Sequence, residues 1–360
     1  MLTTLFYIPS EISLGSFSLP LFGWGVLFFV LLVLGTAAVV LTGRQKSYRE
    51  ALESLLIPLV ISGSVIVWGL PALDDGQGIP VRGYGTMLVA AAAAGTWLSI
   101  IRGRKIGIDA DTIVALGLEV FIAGIAGARI FFVLEYHEQF FSADKNVLQS
   151  ILAIINIPAG GLVVFGALPT ASIAAWMFSR RRKISLTQLA DCVAPGLLVG
   201  LSLGRIGCFL NGCCYGGLCE LPWAMEFPAG SPPWFDQVSR GLISGPSMDG
   251  STVRTLPIHP TQLYASLDAA LLALLTIAFT PFARRDGEVF AVVITLHPIS
   301  RILLEEIRID EPPALGTPLS ISQLMSVGIL ALAMVFWWWL SRQPQQESRQ
   351  STLQATTKER

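Results

Sequence analysis

The chain has 360 residues, 53% of them hydrophobic and only 14% charged, with a formal net charge of −1. A soluble domain carries about 25% charged residues, so the composition excludes an ordinary water-soluble fold and points to lipid as the solvent. The net charge by itself says nothing about partners.

Read in order, residues 12–43, 54–73, 83–101, 146–179 and 312–341 contain no Asp, Glu, Lys or Arg. Crossing a hydrocarbon core takes about 20 apolar residues in a helix, and these runs meet that length. The first is too long for the apolar segment of a signal peptide and lacks a basic stretch before it, so it reads as a retained helix. Residues 112–134, 188–208 and 263–283 are similarly apolar with one or two ionisable side chains each, and 289–308 is apolar in its first half. The expected fold class is all-α: a polytopic membrane bundle of about nine spans, because backbone amides in lipid must be satisfied within their own segment.

Basic residues mark the sidedness. Sixteen of the 24 Lys and Arg sit in alternate loops and the tail, among them Arg44, Arg104, Arg181, Lys183, Arg285 and Arg342, whereas the opposite loops hold Arg82, Lys145, Arg240 and Arg254. The positive-inside rule then predicts an external amino terminus and a cytoplasmic carboxyl terminus. Residues 1–78 read as an additional transmembrane hairpin. A seven-helix core follows at 79–341 with a long external loop at 217–258, and 342–360 reads as a disordered cytoplasmic tail.

Four arginines remain: Arg129, Arg205, Arg301 and Arg308, all in or at the edges of spans. An intramembrane charge costs about 2.5–3.5 kcal/mol even on lenient scales, which makes each a candidate for a functional site, with snorkelling or a structural ion pair as the plain alternative. His297, Arg301, Glu305 and Arg308 are spaced to share one helical stripe. Such a stripe, opposite Arg205, suits a phosphate, since a guanidinium fork matches that anion and Glu305 can orient an arginine. A buried network that merely fixes packing is the competing reading. The isolated acids Glu119, Asp191 and Asp268 are expected to cap or pair within the bundle.

RGYG at 82–85, GAR at 127–129, GGLVVFGA at 160–167, GRIGCFLNG at 204–212, LPWAMEFP at 221–228, HPTQLY at 259–264, RILLEEIR at 301–308 and ISQLMS at 321–326 occur in that order. Together they resemble the prolipoprotein diacylglyceryl transferase family over residues 80–341. The resemblance implies a bacterial inner-membrane enzyme that moves a diacylglyceryl group from phosphatidylglycerol to the lipobox cysteine of a prolipoprotein, releasing glycerol phosphate. It implies no cofactor, no metal and no nucleic-acid partner. It also implies Arg205 and Arg301 as catalytic guanidiniums, with Tyr84, Arg129, Asn211, Gly212, Gly216, His259, Tyr264, Glu305 and Arg308 binding substrate.

Departures accompany it. Phe165 stands where the family pattern has a histidine, Cys208 and Cys213 replace an Asn and a Glu, and His297 replaces a tyrosine. His297 is therefore the expected substitute base, and a non-catalytic paralogue or a lipid-handling transporter is the rival reading. Among five cysteines, Cys192 reads as a packing residue. An external disulfide from Cys219 to Cys213 or Cys214 is expected, and the spacing matches no usual zinc pattern.

Overall fold

Among the described residues of a computed structural model, seven helices are long and apolar enough to cross a membrane: Val26–Arg44, Tyr48–Leu73, Gly83–Lys105, Ala110–Glu135, Leu186–Asn211, Thr261–Phe282 and Ile321–Ser341. All residues are described except 1–3, 15–16, 46, 142–145, 157–159, 162, 246–252, 312, 315 and 346–360; the expected disordered tail thus falls almost wholly outside the described residues. The chain divides into two units, Met1–Thr86 and Met87–Arg360.

The first unit adds short strands to a mostly helical chain. Strands β1 (Thr4–Ile8), β2 (Glu11–Leu14) and β3 (Phe17–Pro20) precede helices α1 (Val26–Gln45) and α2 (Tyr48–Ser64), and β4 (Ile79–Arg82) returns to pair antiparallel with β1. Strands β2 and β3 form an antiparallel hairpin with Ile12 opposite Leu19. The run 12–43 is therefore a hairpin followed by a helix. Ser13 and Ser18 alternate with Ile12, Leu14, Phe17 and Leu19 at a period of two, which favours strands over a continuous helix. α2 passes into a π-helical turn at Val65–Gly69.

Helix α3 (Gly83–Lys105) leads into the second unit, where α4 (Ala110–Glu135), a single turn α5 (His137–Phe140), α6 (Val147–Ile155), α7 (Val164–Arg182) and α8 (Leu186–Asn211) follow. Then come α9 (Pro232–Ser239), α10 (Thr261–Phe279), α11 (Glu288–Glu305) and α12 (Ile321–Ser341). Large apolar side chains point outward, Leu118, Phe121 and Ile122 on α4 being about 60% exposed, as expected where lipid replaces water. Inside, small residues let backbones touch. A Cβ on Gly95 would stand 2.7 Å from the carbonyl oxygen of Gly196, so α3 and α8 meet backbone to backbone.

The three isolated acids are paired, as expected. The Asp191 carboxylate accepts the Gly287 and Phe290 N–H groups at 2.7 and 2.8 Å and caps α11. Asp268 accepts the Ser300 hydroxyl at 2.7 Å, joining α10 to α11, and Glu119 pairs with Arg181 between α4 and α7. Pro195 has no N–H to offer the Asp191 carbonyl; Arg102 donates to that carbonyl instead, at 3.1 Å.

The run 146–179 is also broken, because α6 ends at Ile155 and α7 starts only at Val164. Gly160 and Gly161 lie in the break with φ of 92° and 83°, so GGLVVFGA straddles a helix start rather than lying within a span. At about 1.5 Å per residue, α6 is some 13 Å long, far short of a hydrocarbon core of about 30 Å. Val147, Leu148, Leu152 and Ile155 on it are exposed while Ser150 is buried.

Candidate functional site

The site forms where α8 and α11 end and α10 and α12 begin. Helix α8 stops because Gly212 adopts the left-handed conformation, φ 79°, and its N–H reaches the Cys208 carbonyl at 2.9 Å. Past this turn, residues 216–219 become the middle of a small irregular ladder. Gly216 donates to the His259 carbonyl at 3.1 Å, His259 to the Gly217 carbonyl at 2.9 Å, and Gly217 to the Ile307 carbonyl at 3.0 Å. Phe227 and Ile258, at most 1% exposed, pack with Tyr215 beneath it. A Cβ on Gly216 would lie 2.7 Å from both the His259 Cβ and the Thr261 Cγ2. Gly216→Ala should accordingly cost about 1–3 kcal/mol through overpacking, seen as a lower unfolding temperature in detergent.

Three of the four predicted arginines come together. Arg301, on α11, places Nη1 2.9 Å from Glu305 Oε2 and donates to the Ser322 hydroxyl at 2.9 Å. Arg308 lies just beyond the helix, which corrects the expected four-residue stripe: α11 ends at Glu305, and Arg308 is held by a bridge to Gly216. It grips Asp310 with Nε at 2.9 Å and Nη2 at 3.0 Å and still approaches Glu305 at 3.7 Å. Glu311 closes the group, accepting the Ser322 hydroxyl at 2.9 Å and standing 3.4 Å from both Arg301 and Arg308.

Burial works against the Arg308 charge, but the two bonds from Asp310 more than offset it and hold the guanidinium above its ordinary pKa. At Glu311 burial again opposes the charge; the Ser322 hydroxyl and Arg308 prevail and keep the carboxyl below its usual range.

Arg205, half-buried on α8, is electrostatically coupled to Arg301 and to His297. Among the described residues it donates no hydrogen bond and forms no ion pair, unlike Arg301 and Arg308. The His297 Nδ1 is buried without a hydrogen-bond partner among the described residues, as is the Oε1 of Gln262. Ser320 and Gln323 form a capping box at the start of α12, fixing Ser322 beside Glu311.

A second group lies on the ladder. The Trp223 indole donates to the Tyr264 hydroxyl at 2.7 Å, and that oxygen is 3.3 Å from His259 Nδ1. Gln262 donates to the Cys213 carbonyl at 2.8 Å and Thr261 to the Cys214 carbonyl at 2.7 Å. Asn211 is the exposed last residue of α8. Tyr84 belongs to the first unit, on the opening turn of α3, and is 43% exposed.

Arg129 engages the backbone of another segment. Only 7% exposed, it donates to the carbonyls of Ala153, Ile154, Asn156, Gly160 and Gly161 at 2.6–3.2 Å. The last turn of α6 leaves orphan carbonyls, and Arg129 satisfies them across the break before α7. Its donors go to backbone, so it organises the chain across this break.

The expected disulfide to Cys219 is not formed. Cys219 is buried in the ladder, with its N–H bonded to the Pro257 carbonyl at 3.0 Å, and all five cysteines are free. Cys208, Cys213 and Cys214 converge instead, their sulfurs within 4.8 Å of one another.

Sequence reasoning overlooked Asp310, Glu311, Ser322, Gln262 and Trp223. Trp223 and Gln262 sat inside quoted motifs, and the acids follow RILLEEIR directly, so proximity to a basic stripe was the available signal.

The family model for prolipoprotein diacylglyceryl transferase matches residues 72–339. A phosphatidylglycerol–prolipoprotein diacylglyceryl transferase of Rhodopirellula baltica is 28% identical, over 93% of this chain and 88% of its own length. The proteins of that name from Bacillus mycoides and Corynebacterium diphtheriae are 31% and 27% identical, each over 71% of this chain and 87% of its own.

Proposed function

The chain belongs to the prolipoprotein diacylglyceryl transferase family, and from that premise we propose that it transfers a diacylglyceryl group from phosphatidylglycerol to the lipobox cysteine thiol of a prolipoprotein, with glycerol phosphate as the leaving group. The observation that carries this reading is the gathering of Arg205, Arg301 and Arg308 at one end of the helix bundle. The reaction moves negative charge onto a departing phosphate, and preoriented guanidiniums are the groups that stabilise it. Arg205, uncommitted among the described residues, receives the phosphate; Arg301 and Arg308, braced by Glu305, Asp310 and Glu311, hold the headgroup in line. Asn211, Gly212, Gly216, His259 and Tyr264 form the ladder side of the substrate site.

The protein crosses the bacterial inner membrane nine times. Helices α7, of 19 residues, and α11, of 18, complete the count, and the amino-terminal hairpin adds to a seven-helix core. The amino terminus is external, so the arginine end of the core opens to the outer leaflet, where lipid headgroups and secreted precursors meet.

Incubating purified protein with phosphatidylglycerol and a lipobox peptide tests the reading. A thioether-linked diacylglyceryl peptide is the expected product, and lipid binding without product would favour a lipid-handling protein. His297 serves as the base for the incoming thiol, supported by its unpartnered Nδ1. His297→Gln should slow transfer by about 10²-fold or more, measured by initial rates; an undiminished rate removes His297 from the mechanism.

A further inference from the structure

We propose that Cys208, Cys213 and Cys214 form a tri-thiolate zinc site whose open fourth position receives the lipobox thiol. The inference rests on the transferase reading and names the cofactor of that site.

The geometry is local and built. Cys208 lies in the last turn of α8; Gly212 reverses the chain, and Cys213 returns its N–H to the Cys208 carbonyl at 3.2 Å. The next residue, Cys214, holds a φ of 60°, unusual for a residue with a Cβ. Gln262 and Thr261 fix the carbonyls of Cys213 and Cys214. Three half-buried sulfurs result, all within 4.8 Å. Tetrahedral zinc with Zn–S bonds of about 2.3 Å spaces its sulfurs roughly 3.8 Å apart, so a contraction of about 1 Å closes the cluster on one ion. Among the described residues no further Cys, His, Asp or Glu joins the group, which leaves one corner free, as in catalytic rather than structural zinc sites.

Location ties the thiols to the chemistry. Arg308 is an electrostatic neighbour of Cys214 and is bridged to Gly216, two residues further on. Three thiolates and Zn²⁺ carry a net charge of −1, close to the Arg308 guanidinium. Thioether formation needs a sulfur nucleophile at neutral pH, and a coordinated thiol is deprotonated outright. The incoming thiol binds the ion and its displaced proton passes through solvent to His297. The zinc-held sulfur then attacks the diacylglyceryl carbon that carries the phosphodiester oxygen. The S–C bond forms, the C–O bond breaks, and its electron pair leaves on glycerol phosphate among the arginines. The thioether releases from zinc and the ion remains.

Full-length protein purified in detergent without chelator, thiols kept reduced, is the material for the test. Metal analysis should find about one zinc per chain, lost in Cys213→Ser. Cobalt substitution should give thiolate-to-metal charge transfer and the intense visible bands of a tetrahedral site. Chelation should lower peptide diacylglyceryl transfer at least tenfold, with recovery on zinc addition. Reduced protein that takes up neither zinc nor cobalt overturns the proposal. A disulfide among the three cysteines in non-reducing mass spectrometry, or transfer indifferent to chelation, overturns it equally while leaving the transferase reading intact. Stoichiometric zinc in a protein that transfers nothing when loaded supports the ion site and counts against the transferase reading instead.

Discussion

Arg205→Ala should lower transfer from phosphatidylglycerol by about 10²–10³-fold while leaving the unfolding temperature in detergent nearly unchanged. Removing one preoriented donor to a developing oxyanion costs a factor of that size. The small stability effect follows from the site itself, because among the described residues Arg205 holds no ion pair or hydrogen bond that its loss would break. Arg205→Lys should recover little, since an ammonium keeps the charge but not the planar fork. Arg301→Ala, in contrast, should lower activity and stability together, because it strands Glu305. Initial-rate assays alongside thermal melts separate the two patterns. An Arg205→Ala enzyme with near-native turnover would remove the phosphate contact on which the functional reading depends.

Glu305→Ala should destabilise the second unit by about 3–5 kcal/mol, the usual cost of removing one partner of a buried ion pair. Its side chain is 4% exposed and lies between Arg301, 2.9 Å away, and Arg308, 3.7 Å away. With the carboxylate gone, the two guanidiniums lose one shared carboxylate and keep Glu311, 3.4 Å from each. Glu305→Gln, of equal shape, should fall between the two. Denaturant or thermal unfolding in detergent measures the loss, and a melting temperature matching the parent protein would mean that Glu305 does not brace the arginines.

Much of this arrangement is legible in the amino-acid order, for a physical reason. Lipid tolerates few charges, so the apolar runs locate the helices closely: 112–134 lies inside α4, 188–208 inside α8, and 263–283 overlaps nearly all of α10. The same intolerance singles out Arg205, Arg301 and Glu305 before any coordinates are known. What escapes is set by the backbone between helices. Residues 12–14 and 17–20 are apolar enough to extend a helix, yet their period-two alternation makes paired strands. Arg129 resembles the other buried arginines in sequence, but the carbonyls it satisfies belong to a helix end 24 to 32 residues downstream. Arg308 fits a helical stripe that the helix does not extend far enough to include. The cysteine cluster was hidden because zinc-pattern reasoning counts spacing along the chain, while a left-handed glycine folds Cys213 and Cys214 back toward Cys208.

The arginine network has a further consequence for turnover. Arg205, Arg301 and Arg308 stand among Glu305, Asp310 and Glu311, so the formal charges of these six groups cancel before any lipid arrives. A monoanionic phospholipid is then selected by directional bonding rather than drawn in by a long-range field, and capture should respond only weakly to ionic strength. Once the C–O bond is cut, its electron pair leaves glycerol phosphate as a dianion, with more charge than the arginines balanced before. The imbalance that arises only after reaction favours ejection of the spent headgroup to the aqueous side.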